Sequence, residues 1–276
     1  MNNQKTDQEL SGKYQSLLQL LKGLQSAAVA FSGGVDSTFL LAAAYEALGD
    51  KAVAVTARSL SFPKRELDAA CQFAAEKGIR QVIVDSEELN IEGFSKNPVN
   101  RCYLCKSCLF TKLREVARQL GLQSVIEGTN ADDTGDYRPG MKAITELGIF
   151  SPLKEVGFTK EEIRALSKAM GLPSWDKPAM ACLASRFPYG EEITAEKLRM
   201  VDAAEQLLLD MGIRQVRVRC HGSLARIETD ENGFVALTEP YQRERVHRAF
   251  RQIGFSYTAL DLIGYRTGSM NEPLNL

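Results

Sequence analysis

No hydrophobic run in this sequence reaches the roughly 20 residues that a helix needs to cross a membrane. The first residues, MNNQKTDQELSGKYQ, are polar and lack the apolar core of a signal peptide. We therefore expect a cytoplasmic protein without membrane contact. Thiols stay reduced in that compartment, so we expect the six cysteines to serve metal binding, catalysis or packing rather than disulfide formation.

The chain also lacks a strong charge of either sign. Its 34 Lys and Arg residues against 35 Asp and Glu residues give a formal net charge of −1. This balance argues against a polyanion such as tRNA or DNA as the main partner, although a local basic groove is compatible with it. We expect a small-molecule substrate and no nucleic acid.

Strands and helices alternate over the first 175 residues, which is typical of an α/β fold with a parallel sheet covered on both faces. After that point the pattern predicts a smaller α+β domain, so we divide the chain into domains 1–175 and 176–276. Predicted helices cover 8–25, 36–48, 64–78, 103–120, 159–171, 194–212 and 239–253, and predicted strands cover 26–32, 51–58, 80–86, 123–130, 215–222, 224–229 and 256–263.

The stretch AVAFSGGVDSTFL places a glycine pair where a buried strand turns into a helix. Gly33 and Gly34 let the backbone approach a ligand closely, and the N–H groups at the following helix start suit an anion. Ser32 and Ser37 add hydroxyl donors, and Asp36 suits a magnesium ion held against phosphates. No lysine follows the glycines, so this is not a Walker A loop. The alternative is a strand–helix corner without a ligand.

Further candidate site residues are charged. Strand alternation places Arg217, Arg219 and His221 on one face, opposite Val216, Val218 and Cys220. Paired arginines suit a phosphate or carboxylate; the alternative is a solvated face with salt bridges. We expect Glu228 to pair with these arginines, and Cys71 and Cys220 to be core residues.

Two loops add polar candidates. In DDTGDYRPG, residues Asp136 and Arg138 are our preferred members of a loop over the ligand site, ahead of Asp132 and Asp133. A polar loop built from Asx-turns is the alternative. Ser185 and Arg186 are candidates for a phosphate contact in the second domain.

Several of these motifs together resemble one protein family. SGGVDS is similar to the pyrophosphate (PP) loop of N-type ATP pyrophosphatases. The segments that resemble the LarE family, the ATP-dependent sulfur transferases of nickel-pincer cofactor synthesis, are GTNADDTGDYRPG (128–140), LASRFPYG (183–190), VRVRCHGSLARIE (216–228) and LDLIGYRTGSMN (260–271). The likeness runs over nearly the whole chain from about residue 10.

The resemblance implies an adenine nucleotide alpha hydrolase-like fold, use of ATP and Mg²⁺, and a homo-oligomer. It also implies a reaction. A carboxylate of a pyridinium dicarboxylate mononucleotide is adenylated, and sulfur then displaces AMP to leave a thiocarboxylate.

The cysteines decide the expected sulfur source. Cys102 and Cys105 form a C-x-x-C pair, and Cys182 lies directly before LASRFPYG. The resemblance implies that these three thiolates hold a 4Fe-4S cluster whose fourth iron carries the transferred sulfide. The alternatives are a sacrificed or persulfide Cys182, zinc, or no metal. The sacrificed cysteine of the family lies where Ala181 stands here, which favours the cluster. We interpret Cys108 as a packing residue.

Two other functions stay open. One is a PP-loop tRNA thiolation enzyme or another adenylating amide or thio synthetase. The other is a nucleotide-binding iron–sulfur sensor without catalysis.

Overall fold

The computed structural model describes residues 2–134 and 139–272, without the side chains of residues 2–7 and 134. The chain forms two compact units. Unit 1 comprises Met1–Ser59, Lys64–Ser86 and Cys102–Ala179, and unit 2 comprises Leu60–Pro63, Glu87–Arg101 and Met180–Leu276. The sequence-based division at residues 175 and 176 is contiguous, whereas the structure assigns two earlier segments to unit 2.

Unit 1 is an α/β unit, as the alternating pattern predicts. Its four parallel strands are arranged in the order β3-β2-β1-β4. The elements are α1 Asn2–Gly23, β1 Ala27–Ala30, α2 Val35–Leu48, β2 Ala52–Arg58, α3 Lys64–Glu76, β3 Gln81–Asp85, α4 Arg101–Gln119, β4 Ser124–Ile126, α5 Pro139–Glu146, α6 Pro152–Val156 and α7 Lys160–Ala169.

The central strand β1 is buried on both sides of the sheet. Its residues alternate between two hydrophobic clusters, since successive side chains of a strand point to opposite faces. Ala27 and Val29 belong to the cluster that contains Phe39 of α2, and Ala28 belongs to the cluster that contains Leu113 of α4. The carboxyl end of β1, where the glycine pair follows, is thereby held at the centre of the sheet.

Unit 2 contains a three-stranded sheet in the order β5-β6-β7. Strands β5 and β6 are antiparallel, and β7 adds to β6 in parallel. The elements are α8 Ala195–Asp210, β5 Val216–His221, β6 Leu224–Thr229, α9 Glu231–Thr238, α10 Pro240–Ile253 and β7 Tyr257–Leu260. This confirms the predicted second, smaller sheet in the C-terminal region. None of the described helices is both long and apolar enough to cross a membrane.

Candidate functional site

The loop Ser32–Ser37 joins the end of β1 to the start of α2. Gly33 adopts a left-handed φ of +67°, and a Cβ at this position would lie 3.3 Å from Cβ of Ala70. Both facts require glycine here. The loop therefore turns tightly between strand and helix, as the sequence predicts.

Hydroxyl groups tie the two ends of this loop together. The Ser32 and Ser37 hydroxyls lie 3.1 Å apart, and Ser37 Oγ donates to the Gly34 carbonyl at 3.2 Å. The segment after β4 lies directly against the helix start, because a Cβ on Gly128 would lie 3.1 Å from the Ser37 nitrogen. The first turn of α2 has N–H groups with no partner inside the helix, so the geometry suits an anion.

Asp36 is the acidic residue of the loop, and cationic and amide groups surround it. Lys160 Nζ lies 2.5 Å from Asp36 Oδ2, and Asn130 Nδ2 donates to Oδ1 at 3.3 Å. Sequence reasoning missed Lys160. It lies 124 positions away in the chain, and only the packing of α7 beside α2 brings it to the loop.

A second lysine that the sequence does not reveal also contacts the loop. Lys177 Nζ donates to the Gly33 carbonyl at 3.3 Å and to Glu66 Oε2 at 3.0 Å. It borders a cavity of about 150 Å³ that Gly33 and Phe73 also line. Lys177 thus links the glycine turn to α3.

The acidic segment after β4 serves the local backbone. Asp133 Oδ2 accepts from the Asn130 N–H at 3.0 Å, and Asp132 Oδ2 accepts from the Lys160 N–H at 2.7 Å. These contacts are those of a polar turn. Asp136 and Arg138, our preferred members of the predicted ligand loop, lie outside the described residues, so their role stays a prediction.

Strand β5 of unit 2 carries the predicted arginines, and both are buried. Arg217 is 4% exposed and Arg219 is 5% exposed, so the alternative of a solvated strand face is wrong. Arg219 donates to Glu228 Oε2 at 2.6 Å, and Arg226 lies 3.0 Å from Glu228 Oε1. The predicted pairing of Glu228 with the arginines is confirmed.

Arg217 lies in a cationic part of unit 2. Its guanidinium stacks 5.1 Å from the ring centre of Tyr265 and donates to the Val216 carbonyl at 2.7 Å. Burial and the neighbouring charge of Arg186 lower the pKa of Arg217 to about 10. An anion close to this guanidinium would offset both effects.

Arg186 is fully buried, and its guanidinium is engaged by protein groups. It donates to both carboxylate oxygens of Glu205, at 2.7 and 3.1 Å, and to the hydroxyl of Ser185 at 2.9 Å. The carbonyls of Ala181 and Cys182 accept from the same side chain at 3.1 and 3.4 Å. A phosphate contact by Arg186 would require these bonds to be exchanged, so it stays a prediction.

Glu205 is the partner that holds Arg186. Burial works to raise the pKa of Glu205. The charge and hydrogen bonds of Arg186, with the Val218 N–H at 3.0 Å, outweigh burial and hold that pKa below its usual value. The carboxylate therefore stays ionised inside the unit and fixes the backbone on either side of it.

The segment after Cys182 is held by the two early segments of unit 2. The Leu183 N–H donates to the Ser61 carbonyl at 2.8 Å. Arg101, which directly precedes Cys102, donates to the Ala184 carbonyl at 2.8 Å and to Oδ1 of Asn97. Asn97 Nδ2 donates to the Phe187 and Pro188 carbonyls at 3.2 and 2.6 Å. The motif LASRFPYG thus has a fixed backbone.

All six cysteines lie among the described residues, and none forms a disulfide. Cys102 and Cys182 are exposed, and Cys105 and Cys108 are half-buried on α4. Cys220 is fully buried, which confirms its predicted core position, and burial raises its pKa to about 11. Cys71 is half-buried, so its predicted core position is wrong.

Metal sites were predicted at Asp36 and at three cysteines. Within residues 2–134 and 139–272, no group of three or more His, Cys, Asp or Glu side chains is arranged to hold a metal ion. Magnesium does not require such a group, because one or two carboxylates together with substrate phosphates usually hold it. Asp36 at the phosphate loop fits that mode. Cys102 and Cys105 belong to unit 1, and Cys182 belongs to unit 2.

Comparison with known proteins agrees with this architecture. No family model matches the chain. It is 38% identical over 269 residues to pyridinium-3,5-bisthiocarboxylic acid mononucleotide synthase of Lactiplantibacillus plantarum, covering 96% of both chains. It is 45% identical over 265 residues to an uncharacterised protein of Synechocystis, covering 96% of this chain and 99% of that one. It is 27% identical to one chain of the glutamine-hydrolysing GMP synthase of Pyrococcus abyssi, over 67% of this protein and 64% of that chain.

The parallel sheet with SGGVDS at the β1–α2 junction, together with the GMP synthase relatives, defines an enzyme of the PP-loop ATP pyrophosphatase class. Within that class the chain belongs to the LarE family, because its similarity to the synthase extends over both units.

Proposed function

We propose that the protein is an ATP-dependent sulfur transferase. It adenylates a carboxylate of a pyridinium dicarboxylate mononucleotide and converts it to a thiocarboxylate for nickel-pincer cofactor synthesis. The observation that carries this proposal is the 38% identity, over 96% of both chains, to a synthase whose name states such a product. The geometry of the Ser32–Ser37 loop supports the ATP-dependent step.

Adenylation makes the carboxylate reactive. A carboxylate oxygen attacks the α-phosphorus of ATP, pyrophosphate leaves, and the acyl carbon then carries AMP as a good leaving group. In this proposal Ser32, Gly33, Gly34 and Ser37 hold the pyrophosphate with backbone N–H groups and hydroxyls. Asp36 would hold Mg²⁺, which screens the charge of the phosphates.

The arginines of unit 2 are proposed to bind the anionic substrate. Arg217 and Arg219 are buried and lie beside Tyr265 and Ser269. A phosphate or carboxylate is the ligand that paired guanidinium groups recognise best. Ser185, Arg186, Asp136 and Arg138 remain predicted contributors to substrate binding.

We propose a 4Fe-4S cluster on Cys102, Cys105 and Cys182 as the sulfur source. Exposure of Cys102 and Cys182 supports the chemistry, because an accessible thiol can ionise and bind metal. The described side chains are not arranged as a metal site, so we derive no step through the cluster. A sacrificed Cys182 is the competing source.

Iron and acid-labile sulfide content after anaerobic purification tests the sulfur source. Loss of both in Cys102→Ala, Cys105→Ala and Cys182→Ala, with retention in Cys108→Ala, supports the cluster. A chain without iron that loses the mass of one sulfur atom during turnover identifies sacrifice instead.

Pyrophosphate release tests the function itself. We expect release when ATP and the pyridinium dicarboxylate mononucleotide are both present, and a thiocarboxylate product by mass spectrometry. Release only with tRNA would favour the thiolation enzyme, and an amide product with ammonia would favour an amide synthetase. We also propose that the protein is a cytoplasmic homo-oligomer, which light scattering on the purified chain tests for assembly.

A further inference from the structure

Lys160 occupies the position on Asp36 where a cation binds. Its Nζ lies 2.5 Å from Oδ2, and the side chains of Lys160 and Asp36 are 33% and 24% exposed. Asn130 takes the other oxygen of the same carboxylate. Both oxygens of Asp36 thus have protein partners at the phosphate loop.

The backbone of Lys160 is held firmly. Its N–H donates to Asp132 Oδ2 at 2.7 Å. Thr159 and Glu162 form a capping box around it, and Glu162 also pairs with Lys13 at 2.6 Å. Because α7 starts from this fixed point, the ammonium is directed at Asp36 by the fold rather than by a chance surface contact.

We propose that Lys160 is an internal counter-ion that keeps Asp36 from binding a divalent cation until ATP arrives. The inference rests on the assignment of Asp36 to Mg²⁺ in the proposed function. An ammonium and a metal ion cannot share one carboxylate oxygen at bonding distance, because their charges repel. Mg²⁺ also gives up its water reluctantly and is usually held by substrate phosphates in addition to carboxylates.

The triphosphate reverses this competition. Its oxygens bring negative charge to the start of α2, where the released Lys160 ammonium gains a new partner and the metal gains further ligands. The nucleotide-free enzyme is therefore expected to bind free divalent cations weakly and to take up the metal as its ATP complex. Lys160 positions Asp36 and takes no part in bond making.

Manganese binding to the nucleotide-free protein tests the inference, with free Mn²⁺ followed by electron paramagnetic resonance. We expect Lys160→Met to bind one Mn²⁺ at least tenfold more tightly than the unaltered chain. Lys160→Arg keeps the charge and should behave like the unaltered chain. Lys154→Met, which removes an exposed lysine of the same unit, is the matched control. Thermal melts establish that each variant is folded, and Lys160→Gln replaces Lys160→Met if that variant is not.

A double variant identifies the carboxylate. The tighter Mn²⁺ binding should disappear in Asp36→Asn with Lys160→Met. Unchanged Mn²⁺ affinity in the single variant, or a gain that persists without Asp36, would overturn the inference. The titration contains neither ATP nor the sulfur-accepting substrate, so its failure is distinct from a failure of the pyrophosphate assay.

Discussion

The Arg186 guanidinium and the Glu205 carboxylate form an ion pair with almost no exposure to solvent, joined by hydrogen bonds of 2.7 and 3.1 Å. The same guanidinium holds the carbonyls of Ala181 and Cys182, and Glu205 accepts from Val218 of β5. One pair therefore connects the backbone at Cys182, helix α8 and the arginine-bearing strand within unit 2.

Removing one member of this pair is expected to cost much of the stability of the protein. Glu205→Gln leaves the Arg186 charge buried and uncompensated, which typically costs about 3–5 kcal/mol in the free energy of unfolding. Urea denaturation measures this loss. Glu196→Gln, an exposed change on the same helix, should cost under about 0.5 kcal/mol. A double exchange of Arg186→Met with Glu205→Leu should be milder than Glu205→Gln, and a more severe effect would contradict this explanation.

The same pair predicts how stability depends on pH. The pKa of Glu205 is lower in the folded state than its usual 4.5, because Arg186 and the Val218 N–H outweigh burial. Its stabilising contribution is present above pH 4.5 and is lost as the pH falls through the folded-state pKa. Urea titrations in this acid range should show a shallower loss of stability for Glu205→Gln than for the unaltered chain. Parallel curves would show that other carboxylates dominate.

Gly33→Ala should abolish ATP binding. Alanine at a φ of +67° costs about 1–2 kcal/mol, and its Cβ would also press against Ala70 at 3.3 Å. Gly78→Ala is a matched control, because Gly78 has a φ of +65° and a methyl group added there would meet no atom within 4 Å. Calorimetry with ATP should show loss of binding in the first variant alone. Equal losses in both would mean that left-handed backbone strain, not the loop geometry, is responsible.

Asn97 is expected to hold the segment that follows Cys182. Asn97→Ala removes the side-chain bonds to Phe187 and Pro188 and leaves buried groups unpaired, at a cost of about 1–3 kcal/mol. Hydrogen exchange should be faster across residues 182–190. Asn97→Gly suits the φ of 51° but also lacks the amide, so it should show the same faster exchange. Normal exchange in the glycine variant would show that only the backbone conformation matters.

The cysteines should differ sharply in reactivity. Burial raises the pKa of Cys220 to about 11, from the ordinary 9.0. At pH 8 its thiolate fraction is therefore about a hundredfold below that of an ordinary thiol. Peptide mass spectrometry after timed iodoacetamide treatment should show Cys102 and Cys182 modified first. In urea all six should react at similar rates, and early modification of native Cys220 would contradict its buried position.

Local patterns in the sequence were sufficient for much of the fold. Alternating strands and helices predict the parallel sheet, and Thr159 with Glu162 predicts the capping box that the structure shows. Short helices such as α6 and α9 escaped prediction, because five to eight residues carry too little periodicity to stand out. The strand predicted over 123–130 ends at Ile126, and the rest becomes the turn beside the phosphate loop.

The site was less predictable than the fold. SGGVDS and the pairing of Glu228 could be recognised from neighbouring residues, because the loop is continuous and β5 and β6 follow each other. Lys160 and Lys177 could not be found this way, because tertiary packing alone brings them to the loop. The buried state of Arg186 likewise depends on Glu205, whose place on α8 looks like any other acidic helix position in the sequence.

The assignment of residues 60–63 and 87–101 to unit 2 affects how this protein can be divided. A fragment that begins at residue 176 would lack the Ser61 carbonyl and the Asn97 and Arg101 side chains that hold residues 183–188. The second unit is therefore not a cassette that a single recombination point could move between proteins. Exchange of this unit among relatives would have to carry three separate stretches of the gene together.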